Sequence, residues 1–219
     1  MLLESIKKKV RKKLFFGRVK SRILTDLQKK NSSIFLKTRK IKNSLFRKNK
    51  IVIEIGFGHG EHLVYLSKKF TKKIIIGIDP FQNGLAKVAK YCIQNNIKNL
   101  YIFPYVFEKF HKKYQNYIYD DLYILFPDPW PKKRHHKRRL FDENFMRLIS
   151  KKGRKNSKIF FKTDNYNYYD QVYNIANEFK KRELIRDFYN NLNTKIKTKY
   201  HQKAIKNESK IYSLIIENI

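Results

Sequence analysis

A turn between two prolines is the feature that most constrains how this chain can fold. Residues 122–126 form a largely apolar run, and Pro127 and Pro129 follow it with Asp128 between them. Proline restricts φ and has no N–H, so the backbone can neither extend a sheet ladder nor begin a relaxed helix at this point. The sequence therefore predicts a rigid turn at a strand end, which presents Asp128 and Trp130.

A strongly cationic segment follows this turn directly. Six of the eight residues 132–139 are Lys or Arg. Ligands of open α/β sheets bind at the carboxyl ends of the strands. A carboxylate, an aromatic ring and a cationic segment at one strand end indicate contact with a nucleic acid, whose phosphates residues 132–139 are expected to meet.

Apolar runs and helical patterns alternate along the chain. We predict strands at residues 51–55, 73–78, 100–103, 121–126, 158–161 and 211–216, and helices at 61–70, 85–94, 142–150 and 166–181. Parallel strands need crossover connections, so this alternation implies βαβ units and a mainly parallel, doubly wound sheet. The prediction is a single α/β domain, for which 219 residues are sufficient.

The composition points to a polyanionic partner. Lys and Arg number 51 against 18 Asp and Glu, which gives a formal net charge of +33. We predict a basic, partly flexible N-terminal arm at residues 1–47 and the α/β domain at residues 48–219. A single cysteine, Cys92, suits a reducing cytoplasm and excludes an internal disulfide. No apolar run reaches the length of a membrane span, so we expect no membrane partner.

A glycine loop follows the first predicted strand. Gly56, Gly58 and Gly60 precede a predicted helix, and Asp79 ends the next strand 21 residues after Gly58. Glycine lets a backbone turn tightly and approach a ligand, and a carboxylate at the second strand end can bind the two hydroxyls of a ribose. The combination predicts a cofactor that contains adenosine.

The charge next to this loop distinguishes between cofactors. Glu54 precedes the first glycine, and the glycines are spaced G-x-G-x-G instead of the G-x-G-x-x-G of dinucleotide sites. A carboxylate repels a pyrophosphate but attracts a cation, so S-adenosylmethionine is favoured over NAD. Structural alternatives stay open, because Glu54 could be a strand-end acid and Asp79 could serve its Asp-Pro turn.

These segments together resemble a known family. The glycine loop with its acids resembles that of Rossmann-like methyltransferases, and residues 126–139 are similar to the signature of bacterial tRNA (guanine-N7)-methyltransferases. Residues 162–164 (Lys-Thr-Asp) and 198–200 (Thr-Lys-Tyr) are similar to two further motifs of that family. The resemblance covers roughly residues 50–219. It implies a Rossmann-like fold with an antiparallel C-terminal strand, S-adenosylmethionine as cofactor, and methylation of guanine 46 in the tRNA variable loop.

The resemblance also implies roles for individual residues. It predicts cofactor contacts at Glu54, Asp79 and Asp128, and substrate contacts at Lys132, Asp164, Thr198, Lys199 and Tyr200. The glycine loop adds Gly56, Gly58 and Gly60 as cofactor contacts, and His201 is a further candidate for the substrate. His201 stands where the family often has Glu. The family also has a polar residue after the third strand, near the adenine ring, whereas this chain has Val106 there; main-chain groups or Glu108 would replace it.

The implied reaction needs little from the protein beyond positioning. Guanine N7 carries a lone pair in the neutral base, so neither a general base nor a metal is required. We predict that Asp128 is the catalytic residue, which stabilises the cationic product or accepts hydrogen bonds from the guanine, and that Trp130 stacks on a base. The partner is tRNA, and no obligatory protein partner is expected.

Two other functions remain compatible with the sequence. Methyltransferases that act on exocyclic amines of nucleic acids have Asp/Asn-Pro-Pro before an aromatic residue, whereas here one proline separates Asp128 from Trp130. A tRNA-binding protein that has lost its cofactor site is the second alternative, and Val106 is its support. Identifying the modified atom would distinguish the first alternative from methylation at guanine N7. A measurement of cofactor binding would distinguish the second alternative from an enzyme.

Overall fold

A computed structural model describes residues 17, 19, 21–179 and 198–218, and the backbone of residues 182–186. The strands are β1 Ile51–Ile55, β2 Ile74–Ile78, β3 Leu100–Phe103, β4 Tyr119–Leu125, β5 Gly153–Thr163, β6 Arg182–Arg186 and β7 Tyr212–Asn218. The helices are α1 Asp26–Thr38, α2 Ser44–Lys48, α3 Glu61–Lys69, α4 Gln82–Gln94, α5 Phe107–Lys113, α6 Glu143–Ser150, α7 Tyr166–Glu178 and α8 Lys199–Lys206. Within these described ranges, no helix has both the length and the apolar composition needed to cross a membrane.

The seven strands form one sheet in the order β3-β2-β1-β4-β5-β7-β6. The pairs from β3 to β5 are parallel, and β7 runs antiparallel to both β5 and β6. The predicted α/β fold, with a mainly parallel sheet and an antiparallel C-terminal strand, is confirmed. The strand order reverses between β1 and β4, so a ligand crevice is expected outside their carboxyl ends.

The central strands are buried on both faces of the sheet. Every residue of β1 is buried. Ile51, Ile53 and Ile55 belong to the core on one face, whereas Val52 belongs to the core on the other. Because alternate side chains of a strand point to opposite faces, helices must cover both sides, as in a doubly wound fold.

The chain after α7 differs from the prediction. The sequence predicted a helix to residue 181, but α7 ends at Glu178 and the edge strand β6 follows. Two positions of β6, Leu184 and Ile185, pair with Ile216 and Ile215 of β7. This short strand is formed through a partner distant in sequence, so its local pattern gave no clear signal.

Two helices lie inside the predicted N-terminal arm. Thr25 begins α1 with a capping box, because it exchanges hydrogen bonds with Gln28. Phe35 of α1 and Phe46 of α2 are each 1% exposed and belong to the two cores. The described end of the arm is therefore packed on the sheet. Most of residues 1–20 lie outside the described residues, and the arm-domain boundary stays a prediction.

Candidate active site

Three glycines give the loop between β1 and α3 its shape. Gly56, Gly58 and Gly60 have φ angles of 74°, 54° and 82°. Residues with a side chain rarely adopt such φ angles, and a Cβ on Gly60 would also lie 2.1 Å from a Val88 methyl carbon. Gly56 donates its N–H to the Ile78 carbonyl at 2.9 Å, which ties the loop to the end of β2. The loop has the tight geometry that the sequence predicted, while its contact with a cofactor remains a prediction.

A fourth glycine, which the sequence analysis missed, supports this loop from α4. A Cβ on Gly84 would lie 1.8 Å from the carbonyl oxygen of Gly58. The first turn of α4 therefore packs directly against the loop backbone, and only a residue without a side chain permits this approach. The predicted helix began at residue 85, whereas α4 begins at Gln82, so Gly84 was not recognised as a glycine inside a helix, which would have indicated close packing.

Asp79 holds the glycine loop and also faces the cleft beside it. One carboxylate oxygen accepts the N–H of Gly58 and the other accepts the N–H of Phe81, each at 2.8 Å. Each oxygen keeps a second lone pair, so the carboxylate can still accept two hydroxyl groups. The side chain is 8% exposed, and this burial raises the pKa of Asp79 to about 6. The structural and the cofactor interpretations of Asp79 are thus compatible.

Glu54 is buried beside His62, and it is not among the residues that line the cleft. Its Oε2 is 3.1 Å from Nδ1 of His62, and the two residues are 2% and 3% exposed. The His62 ring also packs against Tyr123, with ring centroids 5.0 Å apart. This buried contact joins the strand before the loop to the helix after it. The contact with His62 supports the structural alternative for Glu54, while its predicted contact with a cofactor stays a prediction.

One cleft brings the main predicted residues together. It is lined by Gly56 from the glycine loop, by Asp79 and Pro80 after β2, and by Asp128 and Trp130 of the proline turn. This cleft lies at the reversal of strand order, where the fold predicts a ligand.

The cleft wall after β3 bears on the missing polar residue. Val106, Phe107 and Glu108 all line the cleft, at the start of α5. Glu108 is therefore close enough to take the place of the polar side chain that the family resemblance led us to expect. Its contact with an adenine ring stays a prediction.

The N-terminal segment contributes to the same cleft, which the sequence analysis missed. Gly17 lines the cleft. Further along, Ser21 donates its N–H to Oδ1 of Asn83 at 2.8 Å, and Nδ2 of Asn83 donates to the Arg22 carbonyl at 3.1 Å. Asn83 thus attaches this part of the arm to the first turn of α4.

The proline turn has an unusual backbone on both sides of Asp128. Phe126 has a φ of 51° and Trp130 a φ of 44°. Such angles cost a bulky residue on the order of 1–3 kcal/mol each, so surrounding contacts must hold them. Phe126 donates its N–H to the Lys162 carbonyl at 2.7 Å, while Asp128 is exposed at the cleft. The strand-end turn that the sequence predicted is present, and it exposes Asp128 at the cleft.

The cationic segment divides into an exposed and a buried part. Lys133–Arg138 forms a short 3-10 helix, and Lys132, Lys133, Arg134 and Lys137 are exposed. Arg138 turns back over Trp130, with its guanidinium carbon 5.0 Å from the ring centroid. Arg139 is only 1% exposed. The prediction that all of residues 132–139 meet phosphates is therefore wrong for Arg139, because its side chain is enclosed by protein.

Helix α8 carries the predicted substrate residues 198–201. Thr198 caps this helix, since its hydroxyl accepts the N–H of His201 at 3.2 Å. Lys199 and Tyr200 are exposed, and a Tyr200 ring carbon lies 3.8 Å from where a Cβ of Gly58 would be. The helix therefore begins directly over the glycine loop, which joins the predicted substrate residues to the cofactor residues.

The other predicted substrate residues differ in exposure. Asp164 is exposed just after β5, and Lys132 is exposed after the proline turn. His201 is 4% exposed, and its ring centroid lies 5.8 Å from that of Phe126. Because His201 is enclosed, its position indicates a role in packing α8 against the proline turn.

Comparisons with known proteins agree with this architecture. A family model described as "Putative methyltransferase" (Methyltransf_4) matches residues 48–214. The chain is 36% identical over 160 residues to the "Bifunctional methyltransferase" of Rickettsia prowazekii (strain Madrid E), an alignment that covers 72% of this chain and 31% of that protein. The chain thus spans about a third of the length of that relative.

A shorter relative aligns over most of its length. The chain is 31% identical over 172 residues to the "tRNA (guanine-N(7)-)-methyltransferase" of Wolbachia pipientis wMel, which covers 78% of this chain and 75% of that protein. The crystal structure of an rRNA methylase from Streptococcus thermophilus has a TM-score of 0.53 at 12% identity, with 91% of this chain and 99% of that chain covered, and shows the shared fold. The family model and the Wolbachia alignment show that the chain belongs to the tRNA (guanine-N7)-methyltransferase family.

Proposed function

We propose that this protein transfers a methyl group from S-adenosylmethionine to N7 of a guanine in tRNA, and that its target is guanine 46 of the variable loop. The observation that carries the proposal is a single cleft lined by Gly56, Asp79 and Asp128, with an exposed cationic segment next to Asp128. Cofactor and substrate groups thus meet at one strand end. Membership of the tRNA (guanine-N7)-methyltransferase family supports both the cofactor and the reaction.

The residues of the cleft suit S-adenosylmethionine. Gly56 has open space on the side where a Cβ would stand, so a ligand can approach the loop backbone. Asp79 keeps two lone pairs for the ribose hydroxyls, and Val106 and Glu108 line the wall that we assign to the adenine ring. When bound, this cofactor supplies an electrophilic methyl group on a cationic sulfur.

Asp128 acts on charge and orientation in this proposal. The lone pair of guanine N7 forms the new N–C bond, the S–C bond of the methyl donor breaks, and the positive charge moves from sulfur to the base. No proton has to be removed. A carboxylate held beside the cleft stabilises the charge that develops on the base, or accepts hydrogen bonds from its N1–H and amino group. The rigid turn supplies the orientation, which is the larger source of rate enhancement here.

The exposed cations bind the tRNA backbone in this proposal. Lys133, Arg134 and Lys137 are exposed on the short 3-10 helix next to the cleft, and Lys132 is exposed directly before it. Contacts of this kind position an RNA without reading its sequence, and they make affinity strongly dependent on salt. Trp130 is available for stacking on a base.

Residues 198–201 and Asp164 complete the substrate site in two ways. Asp164, Lys199 and Tyr200 are exposed, so we assign direct tRNA contacts to them. Thr198 and His201 act through α8, one as its cap and the other as a buried packing residue. We propose that the enzyme works in the cytoplasm on tRNA, without an obligatory protein partner.

The test is methyl transfer to unmodified tRNA from S-adenosylmethionine with a labelled methyl group, followed by borohydride–aniline treatment. A cationic N7-methylguanine makes the strand cleavable, so we expect cleavage at position 46 of the variable loop. Asp128→Asn keeps the size of the side chain and removes its charge, and it should reduce turnover while cofactor binding persists. Labelled tRNA that resists cleavage would overturn N7 as the target atom, and bound tRNA without label would overturn the enzymatic proposal.

A further inference from the structure

Arg139 contacts both the proline turn and helix α7. Its Nε donates to the carbonyl oxygen of Pro129 at 2.8 Å, and its Nη1 donates to Oε1 of Gln171 at 2.6 Å. The guanidinium carbon also lies 4.8 Å from the ring centroid of Tyr168. One buried guanidinium therefore joins the proline turn to helix α7.

The groups around Arg139 are themselves fixed. Gln171 donates from Nε2 to the Phe141 carbonyl at 3.0 Å, and the Tyr168 hydroxyl accepts the N–H of Phe141 at 2.9 Å. Phe141 and Tyr168 are fully buried. Since α7 and the chain after the cationic segment are connected this way, Arg139 is held on a rigid support.

The turn needs such a support. Phe126 and Trp130 have positive φ angles on either side of Asp128, a conformation that the surrounding structure must maintain. Pro129 has no N–H, so its carbonyl is the polar backbone group that it can offer to a partner. A hydrogen bond from a charged donor is stronger than a neutral one, and the Arg139 bond reaches the residue next to Asp128.

We propose that Arg139 is a positioning residue for Asp128, which acts through the Pro129 carbonyl and makes no phosphate contact. The inference rests on the proposed function. It separates residues 132–139 into cations that bind RNA from the surface and one buried cation that sets the angle at which the turn presents its carboxylate. Loss of Arg139 then affects the chemical step, whereas loss of an exposed cation affects RNA affinity.

Arg139→Met tests this separation, because it removes the guanidinium donors and keeps an unbranched apolar chain. We expect kcat to fall by about 100-fold, the order of effect that a misplacement of about 1 Å produces. The slope of log affinity against log salt should stay as in the wild type. Arg134→Met removes one positive charge from the surface, and it should make that negative slope less steep by about 0.7–0.9. An Arg139→Met protein with wild-type kcat, or with a less steep dependence of RNA affinity on salt, would overturn the inference.

A double-mutant cycle connects the effect to Asp128. In an Asp128→Asn background, Arg139→Met should reduce kcat further by less than about twofold, since both changes remove one function. Effects that multiply in full would show that Arg139 acts independently and would overturn the inference.

A second variant tests the same inference if Arg139→Met does not fold. Gln171→Met leaves Arg139 in place and removes its anchor on α7, so a smaller loss of kcat with an unchanged salt slope is expected. A wild-type kcat in this folded variant would count against the α7 support. Wild-type protein without N7 methylation would refute the proposed function itself, which distinguishes that failure from a failure of the Arg139 inference.

Discussion

The affinity for the cofactor should depend on pH through Asp79. Burial raises the pKa of Asp79 to about 6, so about one tenth of this carboxyl is ionised at pH 5 and about nine tenths at pH 7. An ionised carboxylate accepts hydrogen bonds from both ribose hydroxyls, whereas a protonated one loses part of that capacity. Affinity should therefore rise with pH through about 6, and it should be at most about tenfold lower at pH 5 than at pH 7, or about 1.4 kcal/mol, if only the ionised form binds the ribose.

Isothermal titration calorimetry with S-adenosylhomocysteine between pH 5 and pH 7 measures this dependence without turnover. Asp79→Asn is the matched control, because it keeps the size of the side chain and removes the titrating group. Burial lowers the pKa of His59, a neighbour in the loop. Any pH dependence of Kd that remains in Asp79→Asn comes from other titrating groups such as His59. A wild-type Kd that changes by less than about twofold over this range would refute a ribose contact that requires ionised Asp79.

Three further predictions concern the loop, the arm and the turn. Gly84→Ala puts a Cβ against the Gly58 carbonyl, so it should displace the loop, weaken S-adenosylhomocysteine binding in calorimetry and cost about 1–3 kcal/mol of stability. Phe35→Ala, in a helix that the sequence assigned to a partly flexible arm, should lower the free energy of unfolding in urea by about 3–5 kcal/mol, and a change near zero would contradict the packing of α1. Trp130→Ala should weaken tRNA binding by about 1–3 kcal/mol in a filter assay if the ring stacks on a base, and unchanged affinity would contradict that stacking.

The pKa of Asp79 also has a consequence for stability without cofactor. The carboxyl binds its proton more tightly in the folded state than the ordinary value of 3.8 implies, so its contribution to stability is present below about pH 4 and is lost as pH rises through about 6. The pKa difference of about 2 corresponds to about 3 kcal/mol. Urea unfolding of the wild type and of Asp79→Asn should be measured at pH 4 and pH 7. The loss of unfolding free energy from Asp79 should occur in the wild type alone, and equal losses in both proteins would contradict a raised pKa of Asp79.

The features that the sequence determined are those with local causes. A β-branched run such as residues 51–55 can be buried on both faces of a sheet, and glycines at positions 56, 58 and 60 permit the positive φ angles of a tight loop. Two prolines around Asp128 end a strand whatever surrounds them. Strand alternation, the glycine loop and the presented carboxylate were therefore predictable from short segments.

Only the tertiary structure decided which charges face solvent. Arg139 is one of six cations within residues 132–139, and nothing in that segment distinguishes it until α7 supplies Gln171 and Tyr168 as partners. Glu54 likewise has the sequence position of a cofactor acid, but its carboxylate is buried against His62. In these contacts, the partners of a buried charged side chain lie 8–32 residues away along the chain. A charged side chain is buried only where such partners are present, so a local sequence pattern could suggest the chemistry of the site but not which of its charged side chains are buried.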